Sequence, residues 1–257
     1  MLKGNGMKNF KDLAVIILAA GKGTRMKSDL AKVLHKVADK SMVIHVVEAA
    51  IPFTGAENIH VVVGHQADRV KADIDKYHSP IYAYQADLLG TGDAVKTALP
   101  GLKSGIETVL VLCGDVPLIR SETLENLIEG HLKNQAGITV LAAEVEDPTG
   151  YGRVIHDEKE QVLSIREEAD TNEQERRIKR VNTGIYCFNR NLLELAIEKI
   201  QPENNQREYY LTDVIEIAQK MHRKIISVTM DNPDEVMGVN TLQELEKANA
   251  LIQKQRK

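Results

Sequence analysis

The sequence predicts an α/β fold, a single Rossmann-like mixed and mostly parallel sheet with helices on both faces. Three observations carry that expectation. Short apolar runs alternate with amphipathic stretches through most of the chain, the pattern of strands joined by crossover helices. No internal repeat or low-complexity linker interrupts the alternation, so 257 residues of 43% hydrophobic content are expected to bury one substantial core. After Asp147-Pro148-Thr149-Gly150 the pattern changes to short polar-apolar segments, which predicts antiparallel strands in a substrate-binding subregion on the same sheet.

In chain order, residues 1–12 are polar and aperiodic and are expected to form a flexible tail, with Met7 an alternative start. Residues 14–20 superficially resemble the core of a signal peptide. That reading is rejected, because the run is short, is β-branched at Val15, Ile16 and Ile17, and leads into glycines and basic residues rather than a cleavage site. It is the first strand, and the remaining domain is expected to span residues 13–257. Further strands are expected at 59–63, 81–85, 108–113 and 138–145, with helices at 42–50, 67–76, 93–99 and 121–132 between them. The antiparallel segments are 153–155, 161–165 and 181–188. A helix at 209–221, a strand at 224–230 and a helix at 241–253 complete the chain.

The formal net charge of −4 gives no general attraction to nucleic acid or to an anionic membrane, so an anionic substrate must be held by local charges. Cys113 and Cys187 are far apart and lack a CxxC partner. Neither a disulfide framework nor a zinc site is indicated, and a reducing cytoplasm fits. The scattered histidines form no HExxH or Cys/His cluster.

The first strand ends in Gly21-Lys22-Gly23-Thr24-Arg25-Met26, at the strand end where open α/β sheets bind ligands. Glycines let backbone N–H groups approach phosphate, and Lys22 and Arg25 supply positive charge. Met26 stands where a dinucleotide fingerprint needs glycine, and the first glycine of a Walker A loop would fall inside the apolar strand. Gln85 ends another strand with an amide that can both donate and accept; taken alone it reads as a surface glutamine. Asp115 follows the apolar run 109–113 and places a carboxylate beside the phosphate loop, although a helix cap or a turn residue would look the same. Lys32 taken alone reads as solvated surface.

The segment Leu18-Ala19-Ala20-Gly21-Lys22-Gly23-Thr24-Arg25-Met26, followed by Lys32-Val33-Leu34, closely resembles the signature of sugar nucleotidyltransferases. Further motifs appear in the order shown by the N-acetylglucosamine-1-phosphate uridylyltransferase domain of a bifunctional bacterial family. They are residues 85–92 (QADLLGTG), 114–118 (GDVPL), 147–153 (DPTGYGR), 181–185 (VNTGI), 208–213 (EYYLTD) and 238–240 (GVN). The resemblance covers nearly everything from Leu13 to Gln253.

The resemblance implies transfer of a uridylyl group from UTP to a sugar 1-phosphate with Mg2+ as cofactor. Leu18, Ala19, Ala20 and Gly21 would line the nucleotide site, Arg25 would face the leaving pyrophosphate, and Lys32 would contact the reacting phosphate. Gln85, Gly90 and Thr91 would receive the base. Asp115 and Asn240 would hold magnesium, and Gly152, Glu167 and Asn182 would bind the sugar, with Tyr210 and Thr212 alongside.

Two departures stand out. Ala31 precedes Lys32 where the family has proline, which predicts a less preorganised lysine. The family's acetylating, trimer-forming β-helix has no counterpart here, which predicts no acetyl transfer and a monomer or weak oligomer, and leaves a separate acetyltransferase as a candidate partner. Competing readings are a glucose-1-phosphate uridylyl- or thymidylyltransferase and a nonenzymatic UDP-sugar sensor.

Overall fold

The computed structural model describes residues 8–230 and 232–255. Its main sheet is assembled from strands β1 (Leu13–Ala19), β4 (Ile59–Val63), β5 (Ile81–Tyr84), β6 (Thr108–Cys113), β7 (Ile138–Glu144), β10 (Arg180–Asn189) and β11 (Ile225–Met230). They lie in the order β11-β7-β10-β6-β1-β4-β5. The pairs β1–β4, β1–β6, β4–β5 and β7–β11 are parallel, whereas β10 runs antiparallel to both β6 and β7. A hairpin of β8 (Arg153–His156) and β9 (Val162–Arg166) attaches to β10 through Val181 and Arg153. The antiparallel strands thus share the sheet, as expected, and β10 is a long member between β7 and β6.

Side-chain alternation along the strands explains the two cores. Leu13, Val15 and Ile17 of β1 and Leu110 and Leu112 of β6 point to one face. There they meet α1 (Met42–Thr54), α2 (Ala67–Ile74) and α4 (Ser121–Asn134). Ala14, Ile16, Val109 and Val111 point to the other face, against α3 (Thr91–Ala98), α5 (Arg190–Ile197) and α6 (Asp213–Lys220). Both faces are buried, which is the condition for parallel strands. A small hairpin of β2 (Lys36–Val37) and β3 (Lys40–Ser41) and the last helix, α7 (Leu242–Gln255), frame a third cluster around Val37, Met42, Leu118, Val239 and Ala248.

Three helices differ most from expectation. α1 continues through Pro52 to Thr54, because a proline in the last turn forfeits one N–H but leaves the preceding turns intact. α5 was not anticipated; Asn189 caps it by accepting the Leu192 N–H at 3.1 Å. α6 begins at Asp213 rather than at residue 209, since Tyr209 and Leu211 pair with Leu89 and the first turn of α3 instead. Of the expected tail, residues 1–7 lie outside the described residues. Phe10 packs its ring on Phe53 and donates its N–H to the Phe53 carbonyl at 2.7 Å. Among the described residues no helix is long and apolar enough to cross a membrane.

Candidate active site

The chain leaves β1 and β6 side by side at their carboxyl ends, and the Gly114 N–H bonds the Leu18 carbonyl at 2.9 Å. The sheet's strand order turns at this point, one crossover having gone to β4 and the later one to β6, which opens a crevice above the strand ends. Asp115 stands at its centre. Its carbonyl accepts the Val239 N–H at 2.9 Å, drawing the segment before α7 alongside. The α4 N-cap is Arg120, so Asp115 is not the cap of that helix.

Four side chains meet across the crevice. The Lys32 ammonium donates to the Asp115 carboxylate and, at 3.0 Å, to the Asn240 amide oxygen, which also accepts from the Arg25 guanidinium at 2.9 Å. Asn240 is held by the start of α7. Glu244 accepts the N–H groups of Asn240 and Thr241 at 2.7 and 2.8 Å, and Thr241 Oγ1 accepts the Glu244 N–H at 3.2 Å. This is a capping box, reciprocal and rigid. The result is one carboxylate and one amide oxygen converging on a single cationic point, the Lys32 ammonium, with Arg25 beside it.

Ala31, where proline was expected, is not a loose point. It is fully buried, its φ is −53°, within the range a proline ring would impose, and its N–H donates to Gln66 Oε1 at 3.2 Å. Gln66 also donates to the Asp29 carbonyl at 2.6 Å. A side-chain clamp thus fixes the backbone before Lys32, and the expected loss of preorganisation does not follow.

Two cavities adjoin at Asp115, Leu18, Thr91 and Cys113. The larger, about 510 Å³, is lined by Leu18, Ala19, Ala20, Gly21, Lys22, Lys32, Gln85 and Gly90. Gly90 has φ +121°, and a Cβ there would lie 2.6 Å from the Tyr209 carbonyl oxygen. Only glycine permits this approach. The Gly92 N–H reaches the Tyr209 carbonyl, the Tyr209 N–H reaches the Leu89 carbonyl, both at 2.7 Å, and Thr91 Oγ1 accepts the Leu211 N–H at 3.0 Å.

The smaller cavity, about 220 Å³, is lined by Arg25, Gly152, Glu167, Asn182, Tyr186, Thr212 and Asn240. A register shift in β10 between Asn182 and Tyr186 interrupts the ladder and presents Asn182 to the cavity. Its amide oxygen accepts from the Gly184 N–H at 3.1 Å and the Tyr186 hydroxyl at 2.9 Å, which leaves the NH2 to donate to a ligand. Gly152 lets Glu167 come close, since a Cβ would stand 3.3 Å from Glu167 Oε2. The Glu167 carboxyl is raised above its ordinary range by desolvation, against the bond it accepts from Thr212 Oγ1 at 3.1 Å, with the Asp213, Asp170 and Glu208 charges adding to the rise. Cys113 lies between the cavities with its thiol pushed up to about 12 by burial and then by Asp115. It is protonated at neutral pH and is no nucleophile.

Asp213, next to Thr212, is pushed up to about 6 by desolvation first and by Glu216 second. A carboxyl raised in the folded state binds more protons than the unfolded chain between its two pKa values, so its contribution to stability falls as pH rises through that window. Asp213→Asn is therefore expected to raise the unfolding free energy by roughly 1 to 2 kcal/mol at pH 7.5, with the gain vanishing toward pH 4. Urea unfolding of both proteins at the two pH values checks this.

The family described as nucleotidyl transferase matches residues 14–254. This chain belongs to that family. Among curated relatives, a bifunctional protein GlmU of Syntrophotalea carbinolica is 44% identical over 244 residues, 95% of this chain and 52% of its own. The GlmU of Lactococcus lactis subsp. cremoris is 46% identical over 239 residues, 93% and 52% of the two chains. The GlmU of Desulfotalea psychrophila is 40% identical over 97% of this chain and 73% of its own. The chain spans about half the length of most of the curated relatives it matches.

Solved structures share the nucleotidyl transferase's fold. A UDP-glucose pyrophosphorylase complexed with UDP-glucose superposes with a TM-score of 0.75 at 19% identity, covering 96% of this chain and 100% of the other. A Bacillus anthracis protein described as a glucose-1-phosphate thymidylyltransferase gives 0.73 at 21% identity, covering 93% and 94%.

Apart from Tyr210, which is on neither wall and donates its hydroxyl to Gln206 Oε1 at 2.7 Å, every site residue expected from the sequence lies on the wall of one of this nucleotidyl transferase's two cavities. The residues that hold those walls in place were not anticipated. Glu244 had a legible signal in Thr241-Leu242-Gln243-Glu244, a capping-box spacing. Gln66 and Asp93 had none, because each acts on a residue distant in its loop or on another element.

Proposed function

We propose that this nucleotidyl transferase forms UDP-N-acetylglucosamine and pyrophosphate from UTP and N-acetylglucosamine-1-phosphate, with Mg2+. The observation that carries the reading is the pair of adjoining cavities meeting at Asp115, one with phosphate-loop and base-loop walls and the other with sugar-type donors and acceptors. The GlmU name of relatives at 40% to 46% identity supports it.

In the reaction a sugar 1-phosphate oxygen attacks the α-phosphorus of UTP, a P–O bond forms, and the α–β P–O bond breaks to release pyrophosphate. The residues position the reactants and neutralise charge. Lys32 moves from the Asp115 carboxylate to phosphate oxygens. Arg25 offsets charge on the leaving group. Asn182 donates to a sugar oxygen, and Glu167 accepts from a sugar hydroxyl.

Asp115 and Asn240 suit a divalent cation because both offer hard oxygen atoms and already converge on one positive centre, the Lys32 ammonium. Among the described residues no group of three or more His, Cys, Asp or Glu side chains could hold a metal ion, so phosphates and water would complete the coordination. Bound there, Mg2+ would draw the two phosphate groups together and neutralise them.

The division into two subsites gives a test. Gln85→Ala is expected to raise the UTP KM by roughly 5- to 100-fold with little change in the sugar-phosphate KM, the equivalent of leaving a base edge unpaired. Asn182→Ala is expected to do the reverse. Initial rates with each substrate varied in turn measure both, and a Gln85→Ala enzyme with unchanged UTP KM would overturn the base assignment.

A further inference from the structure

Gln85 ends β5 at the back of the nucleotide cavity and is only 4% exposed. Its amide nitrogen donates to the Gly90 carbonyl at 3.1 Å and to Asp93 Oδ2 at 2.7 Å. An amide nitrogen has two hydrogens, and both are used here. Neither partner has a hydrogen to give, so turning the amide over would set oxygen against oxygen on both sides. The bond to Asp93 is the shorter and is charge-assisted, which makes it the stronger hold. Asp93 lies in the first turn of α3 and is not part of the cavity wall.

From this geometry we infer that Asp93 is a positioning residue that sets base specificity. It leaves the Gln85 oxygen as the one group of that side chain free for the nucleobase, and so selects a base with an N–H at the facing position over one with a lone pair there. The inference rests on the reading of UTP as substrate. Uracil carries a single N–H on its pairing edge, at N3 between two carbonyl groups, so an oxygen that only accepts must meet N3–H. Cytosine in the same pose sets the N3 lone pair against that oxygen, and the unpaired polar atoms penalise it. Thymine shares N3–H with uracil, so this device does not separate dTTP from UTP.

The experiment measures kcat/KM for UTP, CTP and N3-methyl-UTP with the parent and with Asp93→Asn. An asparagine at 93 can offer its own NH2 to a turned-over Gln85, which removes the stronger of the two holds and leaves only the Gly90 carbonyl against the turned-over amide. The UTP-to-CTP preference is expected to fall by about fivefold or more in Asp93→Asn, with the loss in UTP KM rather than kcat. A purely structural role would scale both nucleotides together and leave their ratio alone. The parent is expected not to use N3-methyl-UTP. An unchanged ratio in Asp93→Asn, or parental use of N3-methyl-UTP as readily as UTP, would overturn the inference while leaving UTP turnover intact. A parent that does not turn over UTP would overturn the proposed function and this inference with it.

Discussion

Asp115→Asn is expected to lower kcat for pyrophosphate release about a hundredfold or more, with smaller changes in either KM. The carboxylate stands where the two cavities meet, and removing its charge leaves the triphosphate poorly neutralised as the P–O bonds exchange. The substitution is nearly isosteric, so the fold is expected to survive. Asn240→Ala should act in the same direction, because the Asn240 oxygen converges on the same cationic point as Asp115. Residues that act as a unit are non-additive. The double variant is therefore expected to be clearly less impaired than the product of the single losses, and extra Mg2+ should partly restore each single variant. A magnesium titration of kcat across the four proteins decides it. Independent, multiplicative losses with no shift in magnesium dependence would return Asp115 to a turn residue of the Gly-Asp-Val-Pro segment.

Lys32→Ala is expected to lower kcat by roughly 30-fold or more, since a positioned cation on the reacting phosphate is lost. Its magnesium dependence should shift the opposite way to that of Asp115→Asn. The Lys32 ammonium bonds both Asp115 and Asn240, so it competes with any other cation for those oxygens. Without it, half-maximal activity should need less Mg2+, although the maximum is lower. Falling kcat with an unchanged or higher magnesium requirement would show that the Lys32–Asp115 contact is not a competitor for the cation.

The fold was legible because burial on both faces leaves a strong mark on sequence. The runs that became β1, β4 and β6 are apolar but for His60 and Thr108, and their ends were placed within a residue. α5 was missed because it is one short amphipathic stretch abutting a long strand, with only Asn189 to mark its start. The start of α6 was misplaced for a different reason. Tyr209 and Leu211 carry a helical pattern, yet their backbone groups are taken by Leu89, Gly92 and Thr91, and tertiary pairing outweighs local propensity.

The residues proposed to touch a ligand sit in motifs that are local in sequence. The supporting layer was not legible in that way. That Ala31 is tethered by Gln66, that Glu244 clamps Asn240, and that Asp93 fixes which way Gln85 faces are facts about side chains meeting across loops or through a helix turn. Periodicity and spacing carry no record of such contacts. The one misjudged consequence, a loosened Lys32, came from treating a missing proline ring as missing rigidity, when a hydrogen bond to the freed N–H supplies it.

The proposed function requires that the two cavities form one site for uridylyl transfer to N-acetylglucosamine-1-phosphate. The direct measurement is magnesium-dependent pyrophosphate release by the parent protein, with UTP or dTTP against N-acetylglucosamine-1-phosphate, glucose-1-phosphate and no sugar, and the product identified by mass. The expected result is release that requires both UTP and a sugar 1-phosphate, is fastest with N-acetylglucosamine-1-phosphate, and yields UDP-N-acetylglucosamine. Faster turnover of glucose-1-phosphate, or tight binding of UDP-N-acetylglucosamine with no pyrophosphate released from any pair, would contradict it.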